Sequence, residues 1–444
     1  MKVINPQFEA FAKLNKPQKP DGKTKYRRSD FCVSLPCEDG KLLYNTLTGA
    51  LYLLDKNEGQ DTLKDELIRK WCLVPENFDE RKHSRQLLSL VNLLETQNHK
   101  KSFTIVTTTE CNARCFYCFE HGCEKMRMTY ENARDAAEYM IRVSGEEELE
   151  LCWFGGEPLY NREAIEVISG ILHSRCKPFR SLMVTNGYYL DRETSAIAFN
   201  DWAVRKIQIT LDGTKQIYEK TKAYIDKDGS SYERVMDNIG FALDAGIDVL
   251  VRLNIDGNNA NDLSNLADEL GARFSGRKNM HAYIYPLREY HGHIPSFSSD
   301  DEAEKTCIAL QEKLDSLFPG YKIQLPKGFK KNSCMADNDA SELIMPDGGV
   351  ERCEHIQHPD HIGSIYGDFR DENMLRLWKE RVSFPECDSC ALYPQCIILK
   401  RCDSARFGCS KADRALKMMR LEKQMIEAYR QYIQSGRKND ETEQ

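Results

Sequence analysis

From Ser102 to Pro286 the chain alternates short apolar strands with amphipathic helical stretches, and that alternation limits the fold more than any other feature. The strand candidates are SFTIVTT, LELCWF, RSLMVTN, VRKIQITLD, DVLVRLNID and MHAYIYP. Between them, ENARDAAEYMIRV, REAIEVISGILHS, YERVMDNIGFALDAG and NDLSNLADELGAR repeat apolar residues at helical spacing. Six strand–helix units imply an α/β fold with a parallel sheet and helices outside. Right-handed crossovers then leave a doubly wound sheet or a complete or partial barrel, and functional loops lie at the C-terminal ends of the strands. Each polar motif falls there: the first cysteines follow strand one, Gly155-Gly156-Glu157-Pro158 strand two, Asn186-Gly187 strand three and Asp212-Gly213 strand four.

The flanking regions have other patterns. DFCVSLPCEDGKLLYNTLTGALYLLD reads as a small antiparallel meander, and DTLKDELIRKW and RKHSRQLLSLVNLLETQ as helices after it. The basic stretch KPQKPDGKTKYRR before the meander is expected to be a solvated, mobile arm. KADRALKMMRLEKQMIEAYRQYIQ reads as one amphipathic helix with a polar, disordered end. The expected division is a module at 1–100, the strand–helix domain at 101–300, a cysteine-rich domain at 301–410, and a helix with its tail at 411–444.

Composition excludes several classes. No run approaches the length of uncharged apolar sequence that spans a bilayer, and the first twenty residues hold no apolar segment of signal-peptide length, so a cytoplasmic protein without membrane contact is expected. A net charge of -7 argues against nucleic acid as a partner. Seventeen cysteines in a reducing compartment point to metal rather than disulfides.

Cys32, Cys37, Cys72, Cys176 and Cys307 stand apart, as buried thiols do. Eleven of the others cluster: Cys111, Cys115, Cys118 and Cys123 in one group, and Cys334, Cys353, Cys387, Cys390, Cys396, Cys402 and Cys409 in another. Three thiolates at the spacing of Cys111, Cys115 and Cys118 suit three irons of a cubane cluster, with the fourth iron left to a small molecule. A closed zinc site is the alternative, with Cys123 or His121 as fourth ligand.

Cys111, Asn112-Ala113-Arg114, Cys115, Phe116, Tyr117 and Cys118 resemble the Cys-x3-Cys-x-aromatic-Cys signature of the radical S-adenosylmethionine enzymes. The resemblance implies a partial (β/α)6 barrel, a [4Fe-4S] cluster whose free iron chelates S-adenosylmethionine, and a 5′-deoxyadenosyl radical that abstracts hydrogen from substrate. By the same resemblance Tyr117 packs near the adenine. Gly155, Gly156 and Glu157 form the family's second mark, with Glu157 accepting from the methionine ammonium. Asn186, Thr210 and Asp212 lie near the ribose, and Arg252 and Asn254 continue the cofactor-binding pattern.

Downstream, Cys334, thirteen residues, Gly348, four residues and Cys353, followed by Cys387, Cys390, Cys396, Cys402 and Cys409, are similar to the SPASM extension of such enzymes. This chain departs from the pattern by five residues, instead of three, before Cys402. A two-zinc ribbon is the structural alternative. The SPASM resemblance implies two auxiliary [4Fe-4S] clusters, one held by Cys387, Cys390, Cys396 and Cys409 and one by Cys334, Cys353 and Cys402. Cys307 is the candidate fourth ligand of the latter, and without it one iron is open. Glu354, next to Cys353, corresponds to the position of a general base in sulfatase-maturating relatives.

The N-terminal module, with LLYNTLTGALYLLD, is similar to the winged-helix element by which maturases of ribosomally made peptides hold a leader as an added strand. The implied enzyme installs a thioether or another intramolecular cross-link in a precursor peptide and takes electrons from a flavodoxin or ferredoxin. The alternatives are a sulfatase-maturating type of enzyme acting on a folded protein, and a non-catalytic iron–sulfur scaffold that binds peptide. Removing residues 1–100 is expected to leave S-adenosylmethionine cleavage and abolish leader recognition.

Overall fold

The computed structural model describes the chain except for residues 15–17, 21–22, 56–59, 95–100, 227, 289–295, 320–323, 327–333, 356–360, 368–369, 397, 403–404, 406–407 and 443–444. The end of the second expected N-terminal helix, at 95–97, lies outside the described residues.

The N-terminal module comprises β1 (Lys2–Asn5), α1 (Glu9–Leu14), β2 (Tyr26–Arg28), β3 (Cys32–Cys37), β4 (Gly40–Asn45), β5 (Leu51–Asp55), α2 (Gln60–Arg69), β6 (Leu73–Pro75) and α3 (Glu80–Leu94). Its main sheet is antiparallel in the order β1-β5-β4-β3, and β2 pairs with β6 apart from it. The basic segment is not a free arm. Although residues 16, 17, 21 and 22 lie outside the described residues, Gln18 donates to the Leu73 carbonyl at 3.0 Å and Arg27 bridges to Glu80 at 2.8 Å. The buried Glu80 carboxylate draws the arginine in, which charge counting along the sequence does not show.

Six strands follow: β7 (Ser102–Thr108), β8 (Leu149–Gly155), β9 (Phe179–Thr185), β10 (Val204–Leu211), β11 (Asp248–Ile255) and β12 (Met280–Pro286). The helices between them are α4 (Tyr130–Ser144), α5 (Arg162–Ser174), α6 (Arg192–Asn200), α7 (Lys215–Lys222), α8 (Ser231–Asp244) and α9 (Ala260–Phe274). Thr129, Asp191 and Ser230 start α4, α6 and α8 by accepting an N–H of the first turn. The six strands pair in parallel and in sequential order. A doubly wound sheet reverses its order at a switch point, so this sheet is a barrel type; β12 and β7 do not pair, and the barrel is partial.

Side chains alternate across the strands. Leu149, Leu151 and Trp153 of β8 join the main core under the helices, whereas Cys152 and Phe154 face the inner side with Val106, Phe119 and Met335.

After the barrel come α10 (Asp300–Leu317), β13 (Ser341–Ile344), β14 (Gly349–Glu351), β15 (Gly363–Ser364), α11 (Glu372–Leu377) and α12 (Lys411–Thr442). β13 pairs in parallel with β7 and carries β14 and β15 beyond it, so the sheet has nine strands. The cysteine-rich segment therefore covers the open edge of β7. α10 packs on β12, α9 and α12. α12 continues to Thr442, past the apolar pattern that ends near Gln434, where a disordered tail was expected.

The N-terminal sheet sits on the distal cysteine loop. Val33, Leu42, Tyr44, Leu51 and Leu53 share one core with Leu325, Leu392, Leu421 and Met425. Gln395 Nε2 donates to the Thr46 carbonyl at 2.7 Å and to Tyr44 Oη at 3.1 Å, and Arg81 Nε donates to the Asp388 carbonyl at 2.9 Å. Among the described residues no helix is long and apolar enough to cross a membrane.

Candidate active site

The Cys111–Cys118 loop leaves β7 and is held from two sides. The carbonyl of Glu110 accepts the Glu157 N–H at 2.9 Å, and the Thr108 carbonyl accepts that of Gly156 at 3.0 Å. This approach needs glycine. A Cβ on Gly155, whose φ is +124°, would lie 2.1 Å from the Thr108 oxygen, and one on Gly156 would lie 2.3 Å from the Glu110 oxygen. On the other side the Lys222 carbonyl accepts the Arg114 N–H at 2.7 Å, and the Asn112 carbonyl accepts that of Ile225 at 2.8 Å.

Burial pushes the Cys111 and Cys118 thiols up to about 12 and raises Cys115 as well. A thiolate is penalised there unless positive charge accompanies it, which iron supplies. The Ala113 N–H points at Cys111 Sγ at 3.3 Å, and Asn186 Nδ2 lies 3.8 Å from it. Three half-buried thiols, one of them facing backbone and amide donors, fit an iron–sulfur group. Among the described residues no three His, Cys, Asp or Glu side chains are gathered for a single metal ion.

Glu157 is fully buried and joins the ends of β8 and β9. Its Oε1 accepts from Thr185 Oγ1 at 2.7 Å and from the Leu159 N–H at 3.0 Å, and its Oε2 from the Asn186 N–H at 2.7 Å. Desolvation outweighs these bonds and pushes the carboxyl up to about 7. Asn186 also donates to Asn112 Oδ1 at 2.7 Å.

The residues expected near the ribose form a polar chain on β10 and β11. Tyr117 Oη donates to Asp212 Oδ1 at 2.7 Å, and Asn254 Nδ2 reaches the same oxygen at 3.2 Å. Arg252 Nε donates to Asn254 Oδ1 at 2.9 Å and lies over the Tyr285 ring; Thr210 is its register partner on β10. Tyr117 is thus tied to Asp212, a link that the aromatic position in the motif does not reveal.

Cys334, Cys353 and Cys402 come together in a second group. Burial raises Cys353, and the neighbouring Glu354, Cys334 and Cys402 add to it. Arg352, 1% exposed, binds the carbonyls of Asn338 and Ser341 and so fixes the approach of the Cys353 segment to the Cys334 turn. Cys307 is wholly buried in the main core on α10, where Asp413 is the charge that acts on it.

Glu354 is felt at Cys152, at Cys334 and at Glu120, so it faces the gap between the second cysteine group and the inner side of the barrel. His355 beside it stacks on Phe119 of the first cysteine loop with ring centroids 4.4 Å apart. In the third group, Cys387 and Cys390 lie on one short turn, burial raises Cys409 against the pull of Lys417, with Cys396 adding to it, and Lys417 Nζ reaches Cys396 Sγ at 3.6 Å.

Sequence reasoning passed over Cys152, Glu120 and Lys222. Cys152 could have been found from strand alternation, which puts it opposite Trp153. Glu120 and Lys222 carry no such signal, since each reads as a surface charge until the loops are folded.

Residues 105–270 match the family model described as the Radical SAM superfamily. A protein of Methanocaldococcus jannaschii named as a probable GTP 3',8-cyclase is 27% identical over 263 residues, 57% of this chain and 79% of its own. The radical SAM cyclopropyl synthase TigE of Paramaledivibacter caminithermalis is 28% identical over 133 residues, 26% of this chain and 27% of its own. The fold is also that of native anSMEcpe with bound AdoMet and Cp18Cys peptide, with a TM-score of 0.53, 15% identity, and coverage of 76% of this chain and 99% of that one.

Proposed function

We propose, from the match of residues 105–270 to the Radical SAM superfamily model, that this enzyme matures a ribosomally made precursor peptide, whose leader is held by the N-terminal sheet. The observation that carries the reading is the seat of that sheet on the Cys387–Cys396 loop, which joins a strand-adding surface to the cysteine-rich end of the enzyme. The peptide in the anSMEcpe structure supports a peptide substrate for this fold. The GTP 3',8-cyclase names among the relatives support a nucleotide as the second reading.

Cys111, Cys115 and Cys118 hold the cluster that binds S-adenosylmethionine. Cys334, Cys353 and Cys402 hold the first auxiliary cluster, and Cys387, Cys390, Cys396 and Cys409 the second, which makes three [4Fe-4S] clusters. When bound, the first cluster and S-adenosylmethionine would supply the radical chemistry of hydrogen abstraction from the peptide. Glu157 receives the methionine ammonium, and Gly155 and Gly156 let its turn approach the cysteine loop. Asn186, Thr210, Asp212, Arg252 and Asn254 line the nucleoside side of the site. Glu354 would accept the proton the substrate loses as the cross-link, a thioether or another intramolecular bond, closes, and the remaining electron would leave to a one-electron acceptor. A flavodoxin or ferredoxin is the electron donor.

The test is to incubate reconstituted, reduced enzyme with S-adenosylmethionine and, in turn, peptides encoded beside its gene and GTP. Formation of 5′-deoxyadenosine with a peptide mass lowered by two hydrogens supports maturation. Consumption of GTP with unaltered peptides would replace that reading.

Glu157 gives a pH prediction. Its folded pKa is raised from 4.5 to about 7, so the protonated carboxyl stabilises the fold below the unfolded value, and that contribution is lost as pH rises through about 7. A bound ammonium favours the ionised form. Affinity for S-adenosylmethionine should therefore rise with pH through about 7, by up to about tenfold per unit below it. Calorimetric titration of the oxidised enzyme checks this, and Glu157→Gln should be weak and flat across the range.

A further inference from the structure

Lys222 closes α7 and is almost wholly buried, which is unusual for lysine unless the charge has work and a partner. Its Nζ pairs with Asp212 Oδ2 at 3.1 Å and donates to Tyr117 Oη at 3.0 Å. Its carbonyl accepts the N–H of Arg114. One residue therefore grips the cysteine loop at two points, once between Cys111 and Cys115 and once between Cys115 and Cys118. Ala223 follows it at φ 44°, a left-handed position that is unfavourable for a non-glycine residue. That turn ends the helix at Lys222 and leaves its carbonyl facing the loop.

The ion pair is not symmetric toward the loop. Asp212 meets the loop at Tyr117 Oη, whereas Lys222 Nζ also lies over the Tyr117 ring, 5.6 Å from its centroid, and the Lys222 carbonyl holds Arg114, so the ammonium is seated against the loop. In a site this dry, Coulomb interactions are several times stronger than in water. The positive end of the pair is thus turned toward the group that the three thiols hold.

Resting on the radical SAM reading of those thiols, we propose that Lys222 is a positioning residue that clamps the Cys111–Cys118 loop through Tyr117 and makes the cluster there easier to reduce. Accepting one electron makes the cluster more negative; no bond forms or breaks, and the nearby ammonium stabilises the added charge. The electron comes from a low-potential one-electron donor, such as a reduced viologen in the assay.

The experiment is a redox titration of the reconstituted full chain without S-adenosylmethionine, with viologen mediators and the reduced cluster followed by electron paramagnetic resonance. The radical-site signal is defined as the one lost when Cys111, Cys115 and Cys118 are all replaced by Ala. In Lys222→Met, the ratio of reduced to oxidised cluster at a fixed potential should fall about tenfold, equal to about 59 mV for one electron. Lys222→Arg should stay within about twofold of the parent, and Lys222→Met with Asp212→Asn should fall between parent and single variant, because both charges leave together. Equal potentials in Lys222→Met and the parent would overturn the inference. So would an Arg variant or a double variant displaced as far as Lys222→Met, since the role would then be shape alone. A signal that survives the triple cysteine replacement refutes the radical-site reading itself, a different failure.

Discussion

Replacing Cys111, Cys115 and Cys118 together by Ala should remove about four iron atoms per chain and abolish 5′-deoxyadenosine formation, with the remaining iron still bound. The expectation rests on how the loop is held. Its backbone is fixed by Gly156, Glu157, Lys222 and Ile225, none of which depends on a thiol, so the loop can keep its course without sulfur. The second group is fixed separately, through Arg352 and the Asn338 and Ser341 carbonyls. Iron per chain and nucleoside by mass spectrometry are the two measurements. Persistent cleavage of S-adenosylmethionine would place the radical chemistry elsewhere, and loss of all iron would mean that the groups fold as one.

The second large effect concerns residues 1–100, which were expected to be separable. Deleting them should give an aggregating chain, not an enzyme that merely ignores leaders. Leu325, Leu392, Leu421 and Met425 are buried against the N-terminal sheet, and each fully buried side chain of this kind contributes about 1.5–3 kcal/mol. Uncovering four at once approaches the whole stability of a domain, about 5–15 kcal/mol. The truncated chain should elute with the void volume in size-exclusion chromatography, or melt far below the full chain. A monodisperse truncated protein with unchanged melting would show that the shared core contributes little.

Much of this architecture is legible in the sequence, for identifiable reasons. SFTIVTT, REAIEVISGILHS and MHAYIYP coincide with β7, α5 and β12, because the apolar pattern and its boundaries agree at each. The helix α7 is not legible: KQIYEKTK is short, rich in lysine, and helical mainly through what Tyr218 and Lys222 bury. Strand β13 has four residues and gains its place only by pairing with β7, far away in sequence.

The site divides in the same way. Cysteines and the Gly-Gly-Glu turn are fixed by chemistry and close approach, and so they announce themselves. The tie between Tyr117, Asp212 and Lys222 exists only where the end of α7 meets two loops.

The seat of the N-terminal sheet on the Cys387–Cys396 loop also bears on how such enzymes can be recombined. Thr46, Tyr44 and Arg81 on one side and Asp388, Ala391 and Gln395 on the other are matched partners more than 300 residues apart. Grafting a foreign recognition module onto this body would replace one half of that match and leave the other. Chimeras with altered peptide choice should therefore tolerate exchange only when the 387–396 loop travels with the module, as a single inherited cassette drawn from both ends of the gene.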